Sequence, residues 1–151
     1  MYLLLKLLHI AAVILFIGNI ITGLFWHRHA ARTRDPRLLA HAMDGIIRSD
    51  RLFTIPAVIV IVVTGILAAI EGHLPLLRTG WIAWTLLLFT VSGLVFMFSV
   101  VPLQRQLRDM ARAGAASGAF DYAHYHARAL RWEYWGAIAL LTPLAAMVLM
   151  V

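Results

Sequence analysis

The sequence predicts an all-α, polytopic membrane protein: a four-transmembrane-helix bundle carrying cytoplasmic amphipathic helical arms. Three observations predict it. Of the 151 residues, 62% are apolar and 13% charged, against roughly 45–50% and 25% in a soluble domain, and mean hydropathy is +0.85. Four apolar stretches each reach the ~20 residues that a helix needs to cross a bilayer core of ~30 Å. The basic residues gather between those stretches instead of spreading along the chain.

The same arithmetic excludes a water-soluble fold, a disordered chain and a disulfide scaffold. With no cysteine there is no disulfide, thiolate zinc site, iron–sulfur cluster or cysteine nucleophile. A net charge of +6 in a soluble protein would point to nucleic acid. Here topology accounts for it, so the expected partner is the lipid bilayer and not nucleic acid.

One transmembrane domain is expected over residues 1–151, with spans at about 3–26, 52–70, 81–101 and 132–151. Barrel strands alternate polar and apolar over ~10 residues. These runs are continuous, and in lipid only a helix satisfies its own backbone. The first span is too long for a signal-peptide core and lacks a small-residue cleavage site, so it reads as a retained helix. Arg28, Arg32, Arg34, Arg37, Arg48 and Arg51 lie in the first loop, and Arg105, Arg108, Arg112, Arg128 and Arg131 in the third. These are eleven of the thirteen basic residues; Lys6 and Arg78 fall on the other side. The positive-inside rule then places both long loops in the cytoplasm, and both termini and the 71–80 loop outside, in a bacterial inner membrane. Trp26, Trp81, Trp84, Trp132 and Trp135 all fall near expected interfaces, as in an aromatic belt.

Asp35-Pro36 starts a polar helix over about 37–47. Pro102 opens an extension of the third helix over 103–112, and 114–118 is a small-residue break. A further helical piece over 120–131 leads into the fourth span. These arms have the composition of helices that lie at the membrane surface. His41, Arg48 and Asp50 share their spacing with His124, Arg131 and Glu133, a weak internal repeat. Asp50 and Glu133 each stand where a span begins. One reading is a helix-start carboxylate paired with a neighbouring Arg; the other is a proton or cation entry point.

Polar residues inside a span are costly and therefore candidates for function. The first span holds Lys6, His9 and Asn19. Lys6 and His9 are three apart and share a face. Neutral imidazole is a common ligand of haem and transition metals, so His9 is the candidate metal and cofactor ligand, with Lys6 as propionate partner. The alternative has Lys6 snorkelling to headgroups and His9 bonded to a neighbouring helix. His73 and Met147 are candidate second axial ligands, as is His9 of a second protomer, although His73 reads first as a plain loop residue. His27 and His29, like His124 and His126, are two apart and make no convincing chelate on a helix. They read as solvated or phospholipid-facing. Asn19 and Gly23 suit close helix packing. Pro56 falls in the first turns of the second span, where it is tolerated. Pro143 is expected to kink the fourth helix, freeing the Ala139 carbonyl for a ligand or for packing. No phosphate loop, dinucleotide fingerprint, triad or HExxH motif is present.

The run Leu5-Lys6-Leu7-Leu8-His9 followed by Gly18 resembles the first helix of the copper-resistance-protein-D-like membrane superfamily. Residues Asp50 to Pro56, Gly65, Trp81 with Trp84, Val101 to Arg105, and Tyr125 with Trp132 resemble its uncharacterised branch, domain of unknown function 2269. A related branch, the membrane protoporphyrinogen oxidases, shares the Lys-x-x-His helix, and its histidine is implicated in haem b binding. Carried over, that role falls on His9. The Asn-Glu-x-Pro motif of those oxidases has no counterpart here. The resemblance and the residues together give an expectation of a haem b-binding protein with a redox or haem-handling role, with a membrane oxidoreductase as the enzyme class left open. It would be a homo-oligomer with a redox partner or a quinone. The alternatives are a cofactor-free structural or regulatory subunit, and a copper or metal transport component using His9, Met97 and Met147.

Overall fold

In the computed structural model, which describes residues 1–73, Pro75 and 80–150, four long helices run up and down. The first is α1, Tyr2–Ala31. The second is one continuous rod of α2 (Pro36–Ser49), a π-turn (Asp50–Thr54) and α3 (Ile55–Glu71). The third is α4 (Gly80–Val95), a second π-turn (Phe96–Val100) and α5 (Val101–Ser117). The fourth is α6, Tyr122–Met150. Among the described residues there is no strand. All four helices are long and apolar enough to cross a membrane.

The expected spans are therefore cores of longer helices. The second and third rods hold 36 and 38 residues, or about 54 and 57 Å at 1.5 Å per residue, well beyond a bilayer core of ~30 Å. Asp35 caps α2 as its sequence predicts, accepting from the Arg37 amide at 2.8 Å, with Pro36 in the first turn. The polar helix then passes straight into the span, so Pro56 lies inside a rod rather than at its start. A proline ring strikes the carbonyl four residues back and offers no N–H. The rod absorbs this by widening. The Ile55 amide bonds Asp50 O, and in the third rod, just before Pro102, the Val101 amide bonds Phe96 O, both five residues back. The break at 114–118 narrows to Gly118, whose φ of +70° is the left-handed C-cap that glycine serves best.

α1 packs along α3, and α4 along α6, giving two hairpins. The hairpins are joined mainly at their arm ends, where α2 packs along α5. Higher up they touch through the Phe16 and Phe89 rings, 6.3 Å between centroids. The arms do not lie flat on a membrane surface. Their apolar faces are spent on one another: Leu39 and Met43 of α2, Leu107 of α5 and Tyr125 of α6 are all fully buried in one core. That core makes the arm ends a closed four-helix bundle. By contrast the spans expose Leu3, Ile14, Ile59, Phe98 and Val148, as lipid-facing surfaces do.

The chain closes this bundle at Gly114. A Cβ built there falls 2.4 Å from Phe120 Cδ2 and 3.0 Å from both its Cβ and Cγ. Because the root of the side chain also stands at only 3.0 Å, turning the ring edge away does not clear the contact. Gly114→Ala is expected to cost about 1–3 kcal/mol through overpacking, read as a lowered thermal midpoint in detergent. An unchanged midpoint would show that the α5–α6 connection shifts freely.

Pro143 sits within an unbroken α6. The carbonyl it frees, Ala139 O, accepts the buried Ser92 hydroxyl of α4 at 2.6 Å, so it serves packing. The three-residue repeat does not organise the molecule. His41 and His124 are both exposed, but Asp50 lies at the joint of the hairpins and Glu133 in mid-helix. The proline-paired π-turns fall in the second and third rods.

Candidate functional site

His9 lies on the face of α1 that meets α3. Its Nδ1 is 3.0 Å from Ile61 O and 3.1 Å from Thr64 Oγ1. The Thr64 hydroxyl already donates to Val60 O at 2.6 Å. Two acceptors around one nitrogen select the tautomer with Nδ1–H donating, which leaves the Nε2 lone pair available. Gly65 makes room for the ring: a Cβ there would stand 3.2 Å from His9 Cε1. The ring is thus oriented by a backbone carbonyl and seated in a glycine notch, while remaining half-buried. An imidazole that ligates a metal is held in this way by a carbonyl on its far nitrogen.

The other expected ligands are not brought to it. Lys6 is exposed one turn away on the same face. His73 is exposed, past the end of α3, with φ +54°. It lies eight residues beyond Gly65, about 12 Å along the axis. Met147 is 43% exposed and Met97 59% exposed, both on the second hairpin, and neither α6 nor the second π-turn packs against α3. Arg78 lies outside the described residues. Among the described residues no three His, Cys, Asp or Glu side chains gather as a metal site. One cavity, of about 530 Å³, opens at the arm tips between Arg34, Arg37, Gly114 and Tyr122, at the other end of α1 from His9.

A second polar centre stands where the hairpins join. Asp50, 8% exposed, neither starts a helix nor pairs with an arginine. Its Oδ1 accepts from Asn19 Nδ2 of α1 at 3.0 Å and from Thr54 Oγ1 at 2.8 Å. Its Oδ2 accepts from Gln104 Nε2 of α5 at 2.8 Å. Asn19 thus bonds across helices, as its packing role predicts, and also reaches Thr54 Oγ1 at 2.8 Å. A cavity of about 30 Å³ adjoins this centre, lined by Asn19, Asp50, Gln104, Trp132 and apolar neighbours.

The third cluster corrects the reading of His27 as solvated. It is 1% exposed. Its Nε2 is 3.1 Å from Tyr125 Oη, its ring meets Trp132 edge-on at 4.9 Å, and its Nδ1 is 3.6 Å from Glu133 Oε1. Glu133 is mid-helix and paired with Arg28 Nη2 at 2.8 Å, so its arginine partner comes from α1 rather than from its own helix start.

Gln104, Trp132 and His27 carry these centres; the sequence reading gives Gln104 no role of its own, places Trp132 in an aromatic belt and takes His27 as solvated. A signal existed. Gln104, Leu107, Ala111 and Gly114 recur at helical spacing, as do Asn19, Gly23, His27 and Ala30, and a polar residue in such a stripe is a buried one.

The model of a family described as "Predicted integral membrane protein (DUF2269)" matches residues 3–151. No curated protein matches, and neither does any solved structure.

Proposed function

We propose, from the premise that this chain belongs to the family of predicted integral membrane proteins DUF2269, that it binds haem b in the membrane in a redox or haem-handling role. His9 would hold the iron through an imidazole nitrogen, and Lys6 would pair with a propionate. The observation that carries this reading is the His9 Nδ1 bond to Ile61 O, which leaves Nε2 as the ligand atom and fixes the plane of the ring. The likeness of Lys6-Leu7-Leu8-His9 to the first helix of the membrane protoporphyrinogen oxidases supports the same assignment.

The donor fits the group; among the described residues no second donor stands beside His9. A second copy presenting its own His9 would supply it, which makes a homo-oligomer part of the proposal. Bound haem would supply one-electron chemistry, to a redox partner or a quinone. The chain's part is to orient the imidazole, raise its basicity through the Ile61 carbonyl and offer Lys6 as a cation at the span's end. The arginine-rich arms support a bacterial inner-membrane location with the arms in the cytoplasm and both termini outside.

The test is an oxidised-minus-reduced visible spectrum with haem extraction, on protein purified from haem-supplemented cells. A Soret band with sharp α and β bands is expected. His9→Ala should abolish it, and His124→Ala and His126→Ala, on exposed arm residues, should keep it. Full haem occupancy in His9→Ala would overturn the assignment.

A cofactor-free structural or regulatory subunit is the second reading. It is favoured by the fact that Ile61, Thr64 and Gly65 already account for the position of the ring. A colourless wild-type protein from the same cells, together with a His9→Ala variant that folds normally, would establish it over the first.

A further inference from the structure

We infer that Asp50, Gln104 and Trp132 form a hydrated proton-binding site at the junction of the two hairpins, with one water linking the Trp132 indole N–H to the Asp50 carboxylate. The inference is independent of His9 and haem.

The first observation is the company Asp50 keeps. Among the described residues no Lys, Arg or His nitrogen lies within 4 Å of it. The charged groups on the packed elements are turned elsewhere. Arg48 and Arg51 on its own rod, Arg105 on α5 and Arg131 on α6 are exposed. Arg28 of α1 is taken by Glu133 of α6, and Arg112 of α5 by Asp44 of α2. A carboxylate buried without a cation is costly, and neutral Asn19, Thr54 and Gln104 alone offset that cost.

The second observation is independent of the first. Trp132 is 4% exposed, and its Nε1 has no hydrogen-bond partner. It lines the same cavity as Asp50, Asn19 and Gln104. At about 30 Å³ that cavity exceeds the ~10–15 Å³ needed for one water; most of its wall is apolar, and Asn19, Asp50, Gln104 and Trp132 are the lining residues whose side chains carry polar atoms, enough for the two to four partners a water needs. A water there accepts from Trp132, whose Nε1 is otherwise unpartnered, and donates to the carboxylate.

The third observation is that the junction tolerates both charge states. Oδ1 holds two donors, but Oδ2 holds only Gln104. The Gln104 amide carries a donor and an acceptor. When the bridging water passes a proton to Oδ2, the new O–H donates to Gln104 Oε1 after the amide turns over, and the link between hairpins survives. The proton comes from bulk water and returns there; no electron moves. The π-turn, a feature often found at functional sites, is the segment that carries Asp50.

The test is infrared difference spectroscopy on the full chain in lipid nanodiscs, between alkaline and neutral pH, where exposed carboxylates stay ionised. A protonated-carboxyl C=O band is expected to appear on lowering the pH. It should vanish in Asp50→Asn, persist in Glu133→Gln and His9→Ala, and shift its midpoint in Trp132→Phe, which keeps the ring's bulk and removes only the N–H donor. A band that survives Asp50→Asn overturns the inference, as does a wild type showing no such band while folded. Should Asp50→Asn fail to fold, wild type against Trp132→Phe decides: identical bands and midpoints overturn the site.

Discussion

Leu107→Ala is expected to destabilise the protein by about 2–5 kcal/mol. Leu107 is fully buried in the arm bundle, in one core with Leu39, Met43 and Tyr125. Truncation removes its contacts and leaves a cavity that tightly packed neighbours refill only in part. The informative control is Phe98→Ala. Phe98 is larger, but it is 77% exposed on the apolar third rod. Lipid tails are as apolar as the side chain they would replace, so little driving force is lost there. Denaturant unfolding of both variants in the same detergent should give a large drop for Leu107→Ala and a change within about 0.5 kcal/mol for Phe98→Ala. Equal losses would mean that the arms are not the stabilising core.

Asp50→Ala should be the most damaging single polar change, at about 2–5 kcal/mol. It strips the acceptor from two buried amides, Asn19 Nδ2 and Gln104 Nε2, and each unsatisfied donor costs about 1–3 kcal/mol. Thr54 loses less, because a helical hydroxyl can turn to a carbonyl of its own helix. Asp50→Asn keeps the volume and one acceptor oxygen and should cost less than Asp50→Ala. A double-mutant cycle of Asp50→Ala with Gln104→Leu isolates the link between hairpins. With the acceptor gone, removing the donor should relieve part of the loss, for a coupling of about 0.5–3 kcal/mol. Strictly additive losses would show that the Asp50–Gln104 bond carries no energy of its own.

The helices were legible because their signal is strong and local. Four apolar runs of bilayer length, separated by arginine-rich loops, admit one kind of secondary structure in lipid. Asp35-Pro36 as a helix start depends only on neighbouring atoms, and the structure keeps it. The fate of α2 and α5 was not legible. An amphipathic helix presents the same sequence whether its apolar face meets lipid headgroups or another helix. Asp50 shows the same limit: its position before an apolar run suits a helix start, yet the π-turn carries the rod through it. His27 looked like one of several arm histidines and proved fully enclosed by Tyr125, Trp132 and Glu133 from α6.

By itself, then, the sequence determined that this protein is helical, that its four long apolar segments are suited to a membrane, and that His9 is a polar residue within the first of them. Those properties follow from composition and from periodicity along one helix. Only the tertiary structure decided that His9 Nδ1 faces the Ile61 carbonyl, that Asp50 ties Asn19 to Gln104, and that the arms close into a bundle. Each of those facts joins residues 31 to 98 positions apart. Which donor meets which acceptor across such separations is set by how the helices pack, and that packing minimises buried, unpaired polar groups over the whole molecule at once.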